Sequence, residues 1–387
     1  MKTNMNNLAM LSDYKVIDLT TQKGFLCSKL LSDMGAEVIR VDKPGTEITP
    51  VYANTGKHSI NLDLEEGQGK QLFKLLIKDT DILIESFSPG YLAGLGLGFS
   101  DLAQIRPGLI MVSITDFGQT GPYKYFKSSD LVSSALAGPM SVCGLPYKPP
   151  LKPYGYQTAS TACLFAANAV LLALWERHSS QIGQYIDISI HECSVATLDH
   201  VLVRYFYEGV VAKRQGSLYW NNAFRIFPCL DGFILISLFY QWETLIEWLD
   251  SEGMAGDLTG TRWLDETERL SHIQHVITVL EAWTLKHNVD ELVETGQLMH
   301  FPWARVSSIQ DVVNNPQLNE RGFFIDTIDE ASGQIYKFPG TPVKMSESPW
   351  QVNSKIPVAG EFNTEVYQNR LGLSQKEIAE LEREGVI

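Results

Sequence analysis

The sequence predicts an α/β fold in which a mostly parallel sheet is joined to a compact, helix-rich second domain. Three observations carry that expectation. Strand and helix signals alternate through residues 14–114, the texture changes at about residue 210, and strand, Pro/Gly-containing loop and a charged final helix return after residue 335. Strands separated by helical segments are βαβ units, whose crossovers set neighbouring strands parallel. At roughly 150 residues per domain, a chain of 387 residues suits two domains, each able to bury a full core.

Taken in order, Tyr14–Leu19 reads as a strand, Leu26–Met34 as a helix and Glu37–Val41 as a strand. A short apolar run closes at Leu62, Gly69–Lys78 is helical, and Thr80–Ile84 and Leu109–Ile114 are strands. Ser160–Glu176 is a long apolar helix, expected to be buried on most sides. After Gly183, the alternation of Gln184–Ile190 marks another strand. Tyr219-Trp220-Asn221-Asn222 reads as a loop and Gly232–Ile236 as a strand. Amphipathic stretches at 241–251, 264–283 and 288–297 supply the second domain's helices, and Gln375–Glu384 is the charged terminal helix. No internal repeat or low-complexity tract interrupts this order.

Composition narrows the class. There are 45 acidic residues against 31 Lys plus Arg, a net charge of −14, with 44% apolar and 20% charged residues. This is ordinary globular composition and excludes disorder, collagen-like fibre and coiled coil as the main state. A phosphate-tracking nucleic-acid binder needs a basic face, which this acidic balance does not offer. A local basic groove for a small anionic ligand remains open. The five cysteines (27, 143, 163, 193 and 229) are odd in number and form no C-x-x-C pair, so neither a disulfide framework nor a thiolate zinc site fits. Cys163 and Cys193 read as small core fillers. The N-terminal residues lack the apolar stretch of a secretory signal, and the longest nearly apolar run, Ala162–Trp175, has 14 residues including Asn168, too short for a bilayer. The expectation is a cytoplasmic acidic enzyme without nucleic-acid or membrane partners.

The glycine run Gly94-Leu95-Gly96-Leu97-Gly98 invites a dinucleotide reading, but Ser88-Pro89-Gly90 intervenes after the strand and the spacing is not G-x-G-x-x-G. It reads as a surface turn. His272 and His275 stand three apart on a predicted helix, yet no H-E-x-x-H pattern accompanies them, so a solvated face is the better reading and no metal is expected.

A set of segments together resembles one family. Val16-Ile17-Asp18-Leu19-Thr20 is followed by Leu30-Leu31-Ser32-Asp33-Met34-Gly35-Ala36-Glu37-Val38-Ile39-Arg40-Val41-Asp42-Lys43-Pro44-Gly45. Further on come Ile84-Glu85-Ser86-Phe87-Ser88-Pro89-Gly90, Phe117-Gly118-Gln119-Thr120-Gly121-Pro122 and Gly183-Gln184-Tyr185-Ile186-Asp187. Later matches are Phe227-Pro228-Cys229-Leu230-Asp231-Gly232, Asn315-Pro316-Gln317-Leu318 with Arg321-Gly322, and Phe338-Pro339-Gly340-Thr341-Pro342. In this order they resemble the family III CoA-transferases, the CaiB/BaiF family that includes formyl-CoA transferase, carnitine CoA-transferase and α-methylacyl-CoA racemase. The resemblance implies a large Rossmann-like domain built from both chain ends (1–210 and 331–387), a smaller α+β domain between (211–330), and two subunits threaded like linked rings. It implies no tightly bound cofactor, with coenzyme A or acyl-CoA as substrate beside a carboxylic acid. By position, Gln22, Lys43, Lys57, Leu62 and Phe87 match the family's CoA contacts. Lysines can pair with phosphates as point charges, and Phe87 offers an apolar face. The alternative is that both lysines are ordinary surface residues.

The departures matter more. The family's transferases attack the acyl-CoA thioester with an aspartate at the start of the helix that here begins near Ser160, forming a mixed anhydride. The position aligns with Ala159 in Tyr156-Gln157-Thr158-Ala159-Ser160-Thr161, and no Asp or Glu lies between Leu151 and Glu176. A serine or threonine ester would be a poor donor to a carboxylate. The family's phosphate-binding arginine aligns with Gly94, and Ser129 precedes Asp130 where the racemase branch needs histidine. The resemblance thus implies a non-nucleophilic subunit whose partner is a homologous chain carrying the aspartate, as in benzylsuccinate CoA-transferase. Alternatives are an acyl-CoA isomerase or hydratase using Asp130, Tyr154, Tyr156 or His191, and a non-catalytic acyl-CoA-binding homodimer. The Tyr/Trp-rich stretch 205–220 suits either an aromatic acyl group or a subunit interface.

Overall fold

The computed structural model describes residues 9–48, 52–219, 224–328, 333–352, 355 and 357–387. Most of the tetrapeptide 219–222 read as a loop lies outside them. Two compact units are present: residues 1–140, 152–211 and 319–387 form one, and 141–151 with 212–318 form the other.

The first unit is built on a parallel sheet of β1 (Lys15–Leu19), β2 (Glu37–Asp42), β3 (His58–Asn61), β4 (Ile82–Glu85), β5 (Ile110–Thr115) and β6 (Tyr185–Ser189). Its strand order is β3-β2-β1-β4-β5-β6, the doubly wound order whose direction reverses between β1 and β4. Ile17 registers with Ile39 on one side and Leu83 on the other. Every residue of β4 and β5 is buried, the pattern of central strands covered on both faces. In chain order the helices are α1 (Phe25–Asp33), α2 (Gly67–Ile77), α3 (Tyr91–Gly94), α4 (Phe99–Ile105), α5 (Asp130–Leu136), α6 (Pro139–Val142), whose last two residues belong to the second unit, α7 (Gln157–Ser180), α8 (Ile190–Ala196) and α9 (Asp199–Glu208). Gly24 opens α1 because a Cβ there would meet Thr20 Cγ2 at 2.5 Å. Only glycine allows that close βα turn.

α7 departs from expectation in two respects. It runs for 24 residues, and among the described residues it is the one helix whose length and composition would let it cross a membrane. It is also buried on one face only. Ala159, Ala162, Cys163, Ala166, Val170, Ala173 and Leu174 pack inward, where small side chains let it lie close to β5 and α1. Leu164, Phe165, Leu172 and Trp175 point outward. Apolar content alone could not tell which face the sheet would cover.

The C-terminal residues return to this unit. After the antiparallel pair β11 (Phe324–Ile328) and β12 (Ile335–Pro339), a π-helical turn at Glu365–Arg370 buries Val366 and Tyr367. A final helix over Gln375–Arg383 is capped by the reciprocal bonds of Ser374 and Glu377. Asp63 N–H donates to Val386 O at 2.8 Å, and Ile387 joins the core of Leu62, Leu64 and Ile77.

The second unit has an antiparallel sheet, β7 (Leu218–Tyr219), β8 (Phe224–Pro228), β9 (Phe233–Ser237) and β10 (Ala304–Arg305). It is packed by α10 (Trp242–Ser251), α11 (Glu266–Ser271), α12 (Ile273–Thr284) and α13 (Val289–Leu298), with Trp263, Trp283, Trp303 and Phe301 fully buried. The stretch 264–283 is therefore not one helix. His272 takes non-helical angles at the break between α11 and α12. His275 pairs with Asp257 at 2.6 Å and stacks on Trp263. Among the described residues no three His, Cys, Asp or Glu side chains gather as metal ligands.

Candidate active site

Ligands of doubly wound sheets bind outside the carboxyl ends of the strands where the order reverses. Here that place is flanked by Thr20 after β1, Ser86 and Phe87 after β4, Thr115 and Asp116 at the end of β5, and the N-terminus of α7. A cleft of about 320 Å³ lies there, lined by Gln22, Lys23, Asp130, Tyr156 and Ala159 among others. Ala159 presents only its methyl group and is 8% exposed.

The nearest carboxylate is already committed. Asp130 Oδ1 accepts from Thr158 N–H at 3.0 Å, from Ala159 N–H at 3.3 Å and from the Thr158 hydroxyl. Its Oδ2 pairs with Lys152 at 2.7 Å. The side chain thereby satisfies N–H groups that the first turn of α7 leaves unpaired. Burial pushes the Asp130 carboxyl up, but the bonds from Lys152 and Thr158 outweigh it and hold it below the ordinary value. Such a carboxylate is stabilised as an anion and is a weak nucleophile and a weak base. Tyr156 shares the cleft, whereas Tyr154 is exposed. His191 turns its ring toward Phe117, centroids 5.7 Å apart, and Asp116 O accepts from its backbone N–H. Sequence reasoning missed Lys152, because nothing local marks a lysine in a Pro-rich loop as the partner of Asp130.

The expected CoA contacts divide. Gln22 lines the cleft at Ala159 and a second one beside Arg40 and Asp42. Lys43, Leu62 and Phe87 line a third, of about 190 Å³, with Tyr91 and Glu65. Lys57 is not with them. Its ammonium group is fully buried and donates to Asp18 Oδ2 at 2.9 Å, Asn54 Oδ1 at 3.0 Å and Phe25 O at 3.1 Å. Three donors meet three acceptors, so it is neither a phosphate ligand nor a surface residue. Burial would push the Asp18 carboxyl up, but Lys57 and Arg40 together hold it below its ordinary value. Lys43 is exposed yet occupied, with Asp63 Oδ2 at 2.9 Å and Glu65 Oε2 at 3.2 Å, and those bonds push its ammonium up to about 12. The Gly94–Gly98 run is the turn between α3 and α4, anchored by buried Leu97. Gly94 faces open space.

Comparison with known proteins agrees with this architecture. The model of CoA-transferase family III matches residues 11–363. The subunit BbsE of succinyl-CoA:(R)-benzylsuccinate CoA-transferase from Thauera aromatica is 28% identical, with 92% of this chain and 93% of that one covered. The succinyl-CoA–D-citramalate CoA-transferase of Chloroflexus aurantiacus is 31% identical, over 97% and 98%. A CAIB/BAIF family protein from Brucella suis superposes with a TM-score of 0.82 at 25% identity, covering 93% of this chain and 99% of that one. The doubly wound sheet, the motifs along its strand ends and a match of this length have one reading: the chain belongs to family III of the CoA-transferases.

Proposed function

We propose that this chain works in an enzyme that moves CoA between carboxylic acids, and that it is the subunit that does not supply the nucleophile. The observation that carries this reading is the methyl group of Ala159 at the family's aspartate position, with Asp130 tied to α7 and Lys152. An anhydride needs a free carboxylate, and this cleft offers none at that position. The outward apolar residues of α7 and α9 support a closely associated partner, a homologous chain bearing the aspartate. The names of both relatives cited include succinyl-CoA, which we carry over as the CoA donor, in a cytoplasmic setting.

Purified alone, the protein should exchange no CoA between succinyl-CoA and free acids, and hydroxylamine should trap no acylated residue between Leu151 and Glu176. Co-expressed with a homologous chain that carries the aspartate, it should co-purify, and the complex should exchange. Robust exchange by the chain alone would overturn the reading.

A further inference from the structure

Three neighbouring strands carry one polar row across the sheet. Glu85 on β4 registers with Ser113 on β5, and Ser113 with Asp187 on β6. Residues in register on adjacent strands project from the same face, and Tyr185, two residues before Asp187, shares it. Hydrogen bonds follow the row: the Tyr185 hydroxyl donates to Ser113 Oγ at 2.8 Å, and Ser113 is bonded to the Glu85 carboxyl in turn. Ser113 is fully buried and Glu85 is 4% exposed, whereas Tyr185 is 38% exposed. A hydrogen-bonded path thus leads from a partly solvated phenol to a buried carboxyl.

Each carboxyl of the row pins a loop. Glu85 Oε2 accepts from Phe87 N–H at 2.6 Å, and the Phe87 and Tyr91 rings, 4.6 Å apart, stand in the wall of the cleft of about 190 Å³. Beyond Ser113, Asp187 Oδ2 accepts from Gln119 N–H at 2.9 Å, in the loop that follows β5. The groups facing Glu85 are few. β1 sets Leu19 against it, β5 brings Ser113, and β6 brings Asp187 and Tyr185, whose ring meets Phe99 of α4 at 5.8 Å. Among the described residues no Lys, Arg or His pairs with Glu85. A carboxyl buried without a cation, with a second carboxylate near it, favours its protonated form. Burial, helped by Asp187, accordingly raises Glu85 to about 7, against the lowering bonds from Ser113 and Phe87.

We propose that Glu85 is a positioning residue that links ligand binding to proton uptake: the chain holds CoA with the Glu85 carboxyl protonated, and ionisation of that carboxyl weakens the complex. A ligand laid over Phe87 and Tyr91 excludes water from the end of β4, and the phosphates of CoA add negative charge there. Both effects favour the neutral carboxyl. Binding above pH 7 therefore draws one proton from solvent onto Glu85, and no other bond changes. That the ligand is CoA rests on the function proposed above, whereas the proton linkage rests on the row in the sheet.

The test is calorimetric, on the full chain together with whatever subunit co-purifies, and it reads binding rather than exchange. CoA is titrated into the parent, Glu85→Gln and Asp187→Asn in buffers of high and low ionisation enthalpy, which gives the protons taken up per CoA bound. Because only this chain is varied, the difference between parent and Glu85→Gln isolates its own carboxyl from the titration of CoA itself. The parent should take up about half a proton more than Glu85→Gln at pH 7 and nearly one more at pH 8. The two proteins should bind CoA alike at pH 6, and Glu85→Gln up to about tenfold more tightly at pH 8. Asp187→Asn removes the neighbouring charge and keeps an acceptor for Gln119, so it should move the uptake profile to lower pH without changing its height. A carboxyl that merely braces the loop would leave the profile where it is. Equal proton uptake by parent and Glu85→Gln at pH 8, or a profile that Asp187→Asn leaves in place, would overturn the linkage. Failure of the parent to bind CoA would overturn the linkage and the choice of ligand together. A complex that shows the proton difference yet exchanges no CoA would sink only the transferase reading.

Discussion

Lys57 shows how far one residue's role depends on its surroundings. Its position in the chain suits a phosphate contact, but its ammonium is enclosed with Asp18, Asn54 and the Phe25 carbonyl. Removing one partner of a buried pair leaves the other charge uncompensated, which typically costs about 3–5 kcal/mol. Lys57→Met should therefore destabilise the protein by about that amount in denaturant titration. The double variant Asp18→Asn/Lys57→Met should lose less, because it strands no charge. Whatever Lys57→Met protein remains folded should bind CoA as the parent does. A variant of parental stability that loses CoA affinity would mean that Lys57 reaches the ligand after all.

At the scale of elements, the end of β4 carries a built-in titration. Glu85 is buried, accepts from Phe87 N–H at 2.6 Å and so pins the start of the 86–90 segment. Burial pushes its carboxyl up from an ordinary 4.5 to about 7, against hydrogen bonds from Ser113 and Phe87 that lower it. The folded chain thus keeps a proton that the unfolded chain releases above pH 4.5. The favourable contribution is complete below pH 4.5, falls as pH rises toward 7 and is gone above it. Glu85→Gln retains an acceptor for Phe87 and cannot ionise. Denaturant unfolding should find the variant equal to the parent at pH 4.5 and more stable at pH 8, by up to about 3 kcal/mol at 1.36 kcal/mol per unit. Equal stability of the two proteins at pH 8 would show that Glu85 ionises without cost.

For the whole molecule, the outward side chains set the expectation. Trp175 is 77% exposed on α7 and Phe206 74% on α9, and α9 buries no residue of its own. Large aromatic side chains held out to solvent on two helices are the surface that a partner subunit would cover. An intimate partner should bury more than the roughly 1,600 Å² of a standard interface. Sedimentation velocity at micromolar concentration should therefore show a dimer or a heteromer and no 43.3 kDa species. Trp175→Glu/Phe206→Glu should release monomer. A stable monomer of the parent protein would refute the assembly.

What the sequence determined by itself was the alternation that makes a parallel sheet and the absence of an aspartate at Ala159. Both are local properties: strand and helix periods are written within a dozen residues, and a missing carboxylate is missing in any fold. Only the tertiary structure decided which face of α7 is covered, that Lys57 serves Asp18, and that Asp130 serves α7. It also set Glu85, Ser113 and Asp187 in one row across three strands. Lys57 and Asp18 stand 39 residues apart, and Asp130 meets Thr158 across 28. A charge's partner is set by distances in space, which neither periodicity nor composition records. The break at His272 belongs with these, since amphipathic spacing continues across it while the backbone turns to seat Trp263 and His275 in the second unit.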